Sequence, residues 1–398
     1  MRSLPSCIGR GGLAALFLLF AGNASAQHEV GRTTIHFVDA SRGDRAVSAR
    51  IKYPADVEGQ DVAPAAGLFP VVAWGHGLTV LVGSYTPLWE ALVPAGYVVV
   101  LPLTEGTFGA NPLELGRDLA FVISAMQAES QDSTSLFFGA IDASVSAIGG
   151  HSMGGGAATL GAAENPWIDA LVSLTALETN PSAIAAAANI FMPSLVVGGT
   201  ADCVTPVAGN QRPMYENLSA DCRYLVELTG GTHCGFLDPG SNCENFEGGC
   251  PTDSLQRAQQ IAQMEALVVP WLDAHLGHDA LAWSTFQAAL ATDPQLSWEG
   301  TCNVVSAPVA RGSTLGLTAL PNPSAVGFSV QWSAAHAVRT LRVHDVRGRS
   351  VRQLHADVSP AGWDGRSATG ERVPGGVYWI RAELENGSHE TVRVVLLR

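Results

Sequence analysis

Short apolar runs alternate with amphipathic stretches from about residue 33 to residue 276. The stretches with helical spacing are Arg117–Glu129, Gly155–Glu164 and Ser254–Leu276. The runs that predict strands are Thr33–Asp39, Ala46–Tyr53, Pro70–Trp74, Gly96–Leu101, Ser144–Ile148, Ile168–Leu174, Ser194–Val197 and Arg223–Leu228. Short apolar strands that alternate with helices predict an α/β fold, in which a mostly parallel sheet is covered on both faces.

The pattern changes near Leu320 to short alternating strands without helical stretches. These strands are predicted at Phe328–Trp332, Thr340–Asp345, Val377–Leu384 and Glu390–Leu397. Turns rich in Gly, Asp and Asn separate them, and that spacing predicts a small β-sandwich. We therefore expect a catalytic domain over residues 27–305, a linker over 306–318 and a second domain over 319–398.

The first 26 residues have the layout of a secretory signal peptide. Arg2 and Arg10 precede the apolar run Leu13–Ala21, and Ala24-Ser-Ala26 provides a small-x-small site for cleavage after Ala26. The apolar run is too short to span a membrane. We expect export, and a mature protein that is secreted or lies at the cell surface.

Charge supports the division into two modules. The 398 residues carry a formal net charge of −14. Residues 27–305 hold 9 basic and 29 acidic side chains, or −20, whereas residues 306–398 hold 11 basic and 7 acidic, or +4. Because the main body is so acidic, nucleic acid is excluded as its partner.

The segment Gly150-His-Ser-Met-Gly154 fits the motif G-x-S-x-G. Alone, the motif is equally typical of an ordinary glycine-rich turn. Here it follows an apolar strand and opens a helix rich in Gly and Ala, which is the context of a nucleophile elbow. Ser152 is the candidate nucleophile.

A serine hydroxyl needs a base, and in this motif class an acid and then a histidine follow the serine along the chain. Asp202 lies in the loop after one strand, and His233 lies in the loop after the next. His233 would take the proton from Ser152 and pass it to the leaving group, while Asp202 would orient the imidazole. Asp238 is a rival for the acid, but it comes after the histidine.

An acyl-transfer site also needs backbone donors for the oxyanion. One should be the N–H of Met153, directly after the nucleophile. The other should come from Trp74-Gly-His-Gly-Leu78, where we expect the N–H of Leu78, with a one-residue slip to Gly77 left open. A purely structural turn would use the same glycines.

Six cysteines follow the signal segment, and an even number after export favours disulfides over metal ligands. Cys203 follows Asp202 and Cys234 follows His233, so a Cys203–Cys234 bridge would tie the acid loop to the base loop; Cys203–Cys222 is equally permitted. Cys243 and Cys250 would pair locally or with Cys302. The acids Asp238, Glu244 and Glu247 could bind calcium, although their spacing matches no EF-hand and a solvated loop is the simpler interpretation.

Together, Gly75-His-Gly-Leu78, Gly150–Gly155, Asp202 and His233 resemble the α/β-hydrolase superfamily. The similarity covers roughly residues 65–275, and is to the branch of dienelactone hydrolases, cutinase-like and polyester hydrolases, and platelet-activating-factor acetylhydrolases. Dienelactone hydrolases use a cysteine nucleophile where this chain has serine. Polyester hydrolases carry a pocket tryptophan that is missing from Ser173–Glu178; the nearby aromatic alternatives, which are equally suited to the core, are Trp74 and Trp167.

The tail resembles a different group of domains. Trp363-Asp-Gly-Arg366, Gly370 and Pro374–Tyr378 are similar to the Ig-like repeat of flagellar hook-capping proteins and to C-terminal sorting domains of type IX secretion. This resemblance implies contact with the cell surface or the secretion machinery, and it implies no chemistry.

The sequence therefore predicts a serine carboxylic-ester hydrolase that forms an acyl-enzyme and needs no cofactor or metal. Its substrate would be a small-molecule or polymeric ester. Two alternatives remain open at this point: an amidase or peptidase that uses the same triad, and a catalytically silent surface-binding protein.

Overall fold

The computed structural model describes residues 28–251, 254–277, 279–302, 317–322, 324–332, 338–345, 350–356, 359–384 and 389–397. The predicted signal peptide and most of the predicted linker lie outside these ranges. Among the described helices, none has the length and apolar character needed to cross a membrane.

A ten-stranded sheet forms the centre of the larger domain. Its strands are β1 (Glu29–Asp39), β2 (Arg45–Ala55), β3 (Gly59–Gln60), β4 (Phe69–Gly75), β5 (Val98–Pro102), β6 (Ile141–His151), β7 (Ala170–Leu174), β8 (Ser194–Gly199), β9 (Cys222–Leu228) and β10 (Leu296–Cys302). Their spatial order is β10-β9-β8-β7-β6-β4-β5-β2-β1-β3. The six central strands from β9 to β5 are parallel, while β2 joins β5, and β10 joins β9, in antiparallel pairing.

Helices cover both faces of this sheet. They are α1 (Thr86–Leu92), α2 (Pro112–Glu129), α3 (Met153–Glu164), α4 (Ala183–Ala187), α5 (Gln211–Asn217), α6 (Arg257–Leu276) and α7 (Ala280–Thr292). Alternate residues of β4 enter two separate cores: Val71 and Ala73 pack with α2 and α3, whereas Val72 and Trp74 pack with α1, α6 and α7. This period of two, with both faces buried, is why the central strands read as continuous apolar runs.

The predicted mostly parallel sheet is confirmed, and each predicted element of the larger domain is present with shifted ends. The pattern did not predict the strands β3 and β10, which lie at the two edges of the sheet, or the helices α1, α4, α5 and α7. Strand β10 carries mostly polar or partly exposed positions, which is typical of an edge strand and leaves little periodicity to detect.

The tail contains antiparallel strands in two sheets. They are β11 (Thr318–Leu320), β12 (Phe328–Gln331), β13 (Val338–Asp345), β14 (Ser350–Leu354), β15 (Ala361–Trp363), β16 (Gly376–Leu384) and β17 (His389–Leu396). The orders are β11-β12-β15 and β14-β13-β16-β17. Residues from both sheets share one core, in which Phe328 stacks on Trp363 with 5.6 Å between ring centroids. The predicted small β-sandwich is confirmed.

Candidate active site

Ser152 occupies the sharp turn between β6 and α3. Its backbone has φ 58° and ψ −126°, a conformation that non-glycine residues rarely adopt and that strains the chain locally. The glycines of the motif make the turn possible: a Cβ on Gly150 would lie 2.2 Å from the carbonyl oxygen of Gly154, and one on Gly154 would lie 2.2 Å from Gly75. The side chain of Ser152 is thereby held at the end of a central strand and is 8% exposed.

The structure brings Ser152, His233 and Asp202 into one hydrogen-bonded chain. Ser152 Oγ lies 2.9 Å from Nε2 of His233, and Nδ1 of His233 lies 2.8 Å from Oδ2 of Asp202. The acid follows β8 and the histidine follows β9, so adjacent parallel strands deliver both to the same edge of the sheet. The carboxylate accepts from the ring, so Nδ1 carries the hydrogen and Nε2 is free to accept the serine proton.

The carboxylate of Asp202 is buried and fully hydrogen-bonded. The backbone N–H groups of Val204 and Thr205 both donate to Oδ1 at 2.8 Å, and the Thr205 hydroxyl lies 2.7 Å from Oδ2. Burial by itself would raise the pKa of this carboxyl. The bonds from His233 and Thr205 outweigh that effect and hold the pKa below its usual value. Asp202 is therefore charged at neutral pH and fixed in orientation.

The loop after β4 presents its backbone toward the serine. The N–H of Gly77 donates to the hydroxyl of Tyr85 at 2.8 Å, so this donor is already engaged. Within the described ranges, the N–H groups of Leu78 and Met153 have no acceptor. Met153 is the first residue of α3, where backbone N–H groups lack intrahelical partners. The one-residue alternative at Gly77 thus meets a competing hydrogen bond, and Leu78 does not.

A buried hydrogen-bond network links this loop to the elbow and to the histidine. The Nε2 of His151 lies 2.9 Å from the carbonyl oxygen of His233, which can only accept, so Nε2 is the protonated nitrogen. Nδ1 of His151 therefore accepts from the Tyr85 hydroxyl at 3.1 Å. Burial, followed by the proximity of His233, lowers the pKa of His151 to about 3 and keeps the ring neutral.

The prediction that the six cysteines form disulfides is confirmed, but the pairings considered from the sequence are not the ones observed. The structure contains Cys203–Cys250, Cys222–Cys302 and Cys234–Cys243 instead of a direct bridge from Cys203 to Cys234 or to Cys222. The physical reason is the path of residues 235–250, which we call the disulfide segment. It folds back over both loops, so each of its two cysteines meets the cysteine beside one triad residue.

The disulfide segment also contacts the loop after β4. The side-chain amide of Asn242 donates to the carbonyl oxygen of Thr79, and the N–H of Asp238 donates to the carbonyl of Ser84 at 2.9 Å. Glu247 accepts the N–H of Cys234 at 2.9 Å. One segment thus holds the acid loop, the base loop and the loop after β4, the first two through covalent bonds.

The rival acids have other partners. Asp238 accepts from the Thr86 hydroxyl at 2.7 Å, and Glu244 pairs with Arg257 at 2.6 Å. Together with Glu247, these carboxylates each bind a different group, which favours structural roles over the calcium site considered above. Trp74 is buried in the core beneath α1, α6 and α7, whereas Trp167 packs against the core beneath α2 and α3 and donates its indole N–H to Asn165, so neither provides an aromatic platform at the serine.

Sequence reasoning missed Tyr85, Thr205 and the contribution of His151. Thr205 stands three residues after the acid, a spacing typical of a turn whose hydroxyl returns to the carboxylate. Tyr85 gave no signal, because it reaches the site only through the path of the loop after β4. His151 lay inside the serine motif but had no predicted partner.

A mostly parallel sheet with helices on both faces, and a serine on a strained strand-to-helix turn bonded to a histidine and an aspartate, defines an α/β-hydrolase. Comparison with protein families narrows this class. A family model described as PET hydrolase-like matches residues 23–247, which is more than half of the chain. The chain belongs to the PET hydrolase-like family.

Several curated proteins are similar to part of the chain. Cutinase est1 of Thermobifida alba is 31% identical over 167 residues, which cover 42% of this chain and 53% of that protein. Cutinase 2 of Thermobifida cellulosilytica is 30% identical over 166 residues, covering 42% and 60%. A bis(hydroxyethyl) terephthalate hydrolase of Streptomyces coelicolor is 32% identical over 168 residues, covering 42% and 51%. The chain spans about half the length of the curated relatives it matches.

Proposed function

We propose that this protein is a secreted serine carboxylic-ester hydrolase of the cutinase and polyester-hydrolase type. The single observation that carries the proposal is the continuous hydrogen-bonded chain from Ser152 through His233 to Asp202. This arrangement supplies a nucleophile, a base with a free Nε2 and a buried charge that stabilises the imidazolium.

The reaction proceeds in two steps. Ser152 Oγ attacks the ester carbonyl carbon as His233 Nε2 takes the hydroxyl proton, and the imidazolium then protonates the leaving alcohol. In the acyl-enzyme, His233 deprotonates a water that attacks the same carbon, and the acid is released with Ser152 restored. The N–H groups of Leu78 and Met153 hold the carbonyl oxygen while it carries negative charge.

The substrate class follows from the relatives and from the surface beside the site. Proteins similar to this chain are named cutinases and a bis(hydroxyethyl) terephthalate hydrolase, and a hydrolase of the latter name acts on an ester. Leu81 and Phe108, in the loops after β4 and β5, are 71% and 82% exposed. Both loops begin at the sheet edge where the serine, acid and histidine loops also begin, and exposed apolar side chains there suit contact with an apolar polymer.

The remaining assignments extend this proposal. Residues 1–26 would direct export, which three disulfides support, because such bonds persist in oxidising compartments. Residues 27–305 would form the catalytic domain and 306–318 a linker. Residues 319–398 would form an Ig-like domain that contacts the cell surface or the secretion machinery. The separate core of the tail supports this division.

The test is hydrolysis of p-nitrophenyl esters from acetate to palmitate by the purified chain, Ser152→Ala and Ser219→Ala. Ser219 is an exposed serine remote from the triad and serves as the matched control. We expect activity in the chain and the control and none in Ser152→Ala, together with release of soluble acid from a polyester film. Undiminished turnover by Ser152→Ala would refute the assigned nucleophile. Absence of ester turnover in a folded chain would favour an amide substrate or a binding role.

A further inference from the structure

A cavity of about 690 Å³ opens beside the oxyanion loop. His76 and Val80 of the loop after β4 line it, and so does Arg50 of β2. The loop after β4 adjoins the candidate nucleophile: a Cβ on Gly77 would lie 3.0 Å from Val80 and 3.3 Å from Ser152. A volume of this size accommodates an organic molecule rather than a few waters.

Arg50 is the unneutralised charge of this cavity. In the part of the chain that the structure describes, no carboxylate lies within ion-pairing distance of its guanidinium. Glu105 also lines the cavity, but its Oε1 pairs with Arg45 at 2.9 Å and its Oε2 accepts the N–H of Asn111 at 2.7 Å. The guanidinium lies against Gly83, where a Cβ would be 3.4 Å from Nη1.

The strand face that carries Arg50 is locally basic in an acidic domain. Lys52 follows two residues later on β2, and Arg32 is paired with Lys52 across β1, so all three cations share one face. Arg32 pairs with Glu58, while the Lys52 amine lies 4.3 Å from the centre of the Trp89 ring. This cluster produces a positive potential that attracts anions to the part of the cavity that Arg50 lines.

The other side chains that line the cavity are mainly apolar. Leu81 and Leu103 line the cavity, and their exposed fractions are 71% and 40%. An apolar cleft with a few convergent polar groups is typical of a small-molecule site. Its chemistry fits an organic chain that carries one anionic group at the far end.

We propose that this cavity binds the acyl part of an ester whose other end is a free carboxylate, and that Arg50 binds that carboxylate. This inference rests on the proposed ester hydrolysis. The backbone N–H groups assigned to the oxyanion would hold the carbonyl that the acyl part carries, and the loop that provides one of them lines the same cavity as Arg50. Half-esters of dicarboxylic acids have this form. Polyester chains that end in a free carboxylic acid have it too.

The guanidinium matches a carboxylate through two parallel N–H donors, and this geometry makes the contact selective as well as attractive. Hydrogen bonds to charged groups contribute enough for a ten- to hundredfold effect on kcat/KM. The effect should be confined to substrates that carry the second carboxylate.

The test compares two esters of equal length, mono-p-nitrophenyl adipate and its methyl ester, in the full chain. The variants are Arg50→Gln, Arg50→Lys and, as a charge-matched control, Arg117→Gln, whose side chain pairs with Glu164 on the outside of α2. We expect Arg50→Gln to lower kcat/KM for the anionic ester by about ten- to a hundredfold more than for the neutral ester. For Arg50→Lys the selective drop in kcat/KM should be intermediate. Arg117→Gln should leave the ratio of kcat/KM for the two esters unchanged.

A second measurement separates this inference from the proposed activity. Methyl hydrogen adipate is titrated into Ser152→Ala with and without Arg50→Gln and followed by calorimetry. Binding that depends on Arg50 supports the carboxylate site even where ester turnover fails. The proposal would be overturned if Arg50→Gln lowered kcat/KM equally for both esters. It would also be overturned if Arg50→Gln left the affinity for methyl hydrogen adipate unchanged.

Discussion

Tyr85→Phe removes one buried hydroxyl and leaves the aromatic ring in place. In the native chain that hydroxyl accepts from the Gly77 N–H at 2.8 Å and donates to His151 at 3.1 Å. The variant leaves both groups buried without a partner. Each such group costs about 1–3 kcal/mol, so we expect the free energy of unfolding to fall by about 2–6 kcal/mol.

The same change should slow catalysis. Gly77 precedes Leu78, whose N–H we assign to the oxyanion, and removing a whole oxyanion donor costs roughly a hundred- to a thousandfold in kcat. A donor that is displaced rather than removed should cost less, and we expect a drop in kcat of about ten- to a hundredfold. KM should change little, because the donor acts mainly on the charged transition state.

The assay is kcat and KM on p-nitrophenyl butyrate together with urea unfolding. Tyr97→Phe is the matched control, because Tyr97 also buries its hydroxyl. That hydroxyl donates to Asp273 of α6 at a distance of 2.6 Å, and this pair lies away from the triad. It should lose stability without losing kcat. If Tyr85→Phe behaved like this control, the hydroxyl would be structural only, and if its stability were unchanged, the network reasoning would be refuted.

Three further outcomes are expected. Thr205→Val removes a hydroxyl that stabilises the charged Asp202, so the pKa of that carboxyl should rise and kcat should fall about tenfold, as read from the pH–rate profile. Serine at both Cys203 and Cys250 opens a 47-residue loop and should lower the free energy of unfolding by up to about 4 kcal/mol in denaturant titrations. The pKa of His151 is lower in the folded than in the unfolded chain, so the neutral ring's contribution to the free energy of unfolding is complete above pH ~6.5 and is lost toward pH 3. His151→Asn should reduce the slope of the free energy of unfolding in this pH range by about 1.4 kcal/mol per pH unit.

The parts of the fold that the sequence predicted are those with local causes. Parallel strands buried on both faces need continuous apolar runs. The serine turn needs glycines, because neighbouring backbone atoms leave no room for a Cβ at Gly150 or Gly154, and both glycines can be recognised in the sequence motif. The order of serine, acid and histidine then followed from which loops end at the same edge of the sheet.

The parts that the sequence did not predict depend on long-range paths. Six cysteines allow fifteen pairings, and only the return of the disulfide segment over two loops selects the observed one. Tyr85 acts through a loop whose course no periodicity reports. The edge strand β10 lacked the pattern that marks a buried strand. The helix α7 before it does bury Ala282, Phe286 and Leu290 at helical spacing, so there the prediction missed a signal that the sequence contains.

The strained turn at Ser152 needs support that its own residues cannot provide. A non-glycine residue at positive φ costs about 1–3 kcal/mol and persists only where the surroundings hold it. Here the surroundings act in two ways. The disulfide segment fixes the acid and base loops through covalent bonds, while Tyr85 and His151 fix the oxyanion loop against the backbone of the histidine. The two supports are linked, because Asn242 of the disulfide segment donates to Thr79 in the loop after β4, and His151 donates to the backbone of His233. Losing the disulfide segment should therefore loosen the acid and base loops and also remove one contact of the loop after β4.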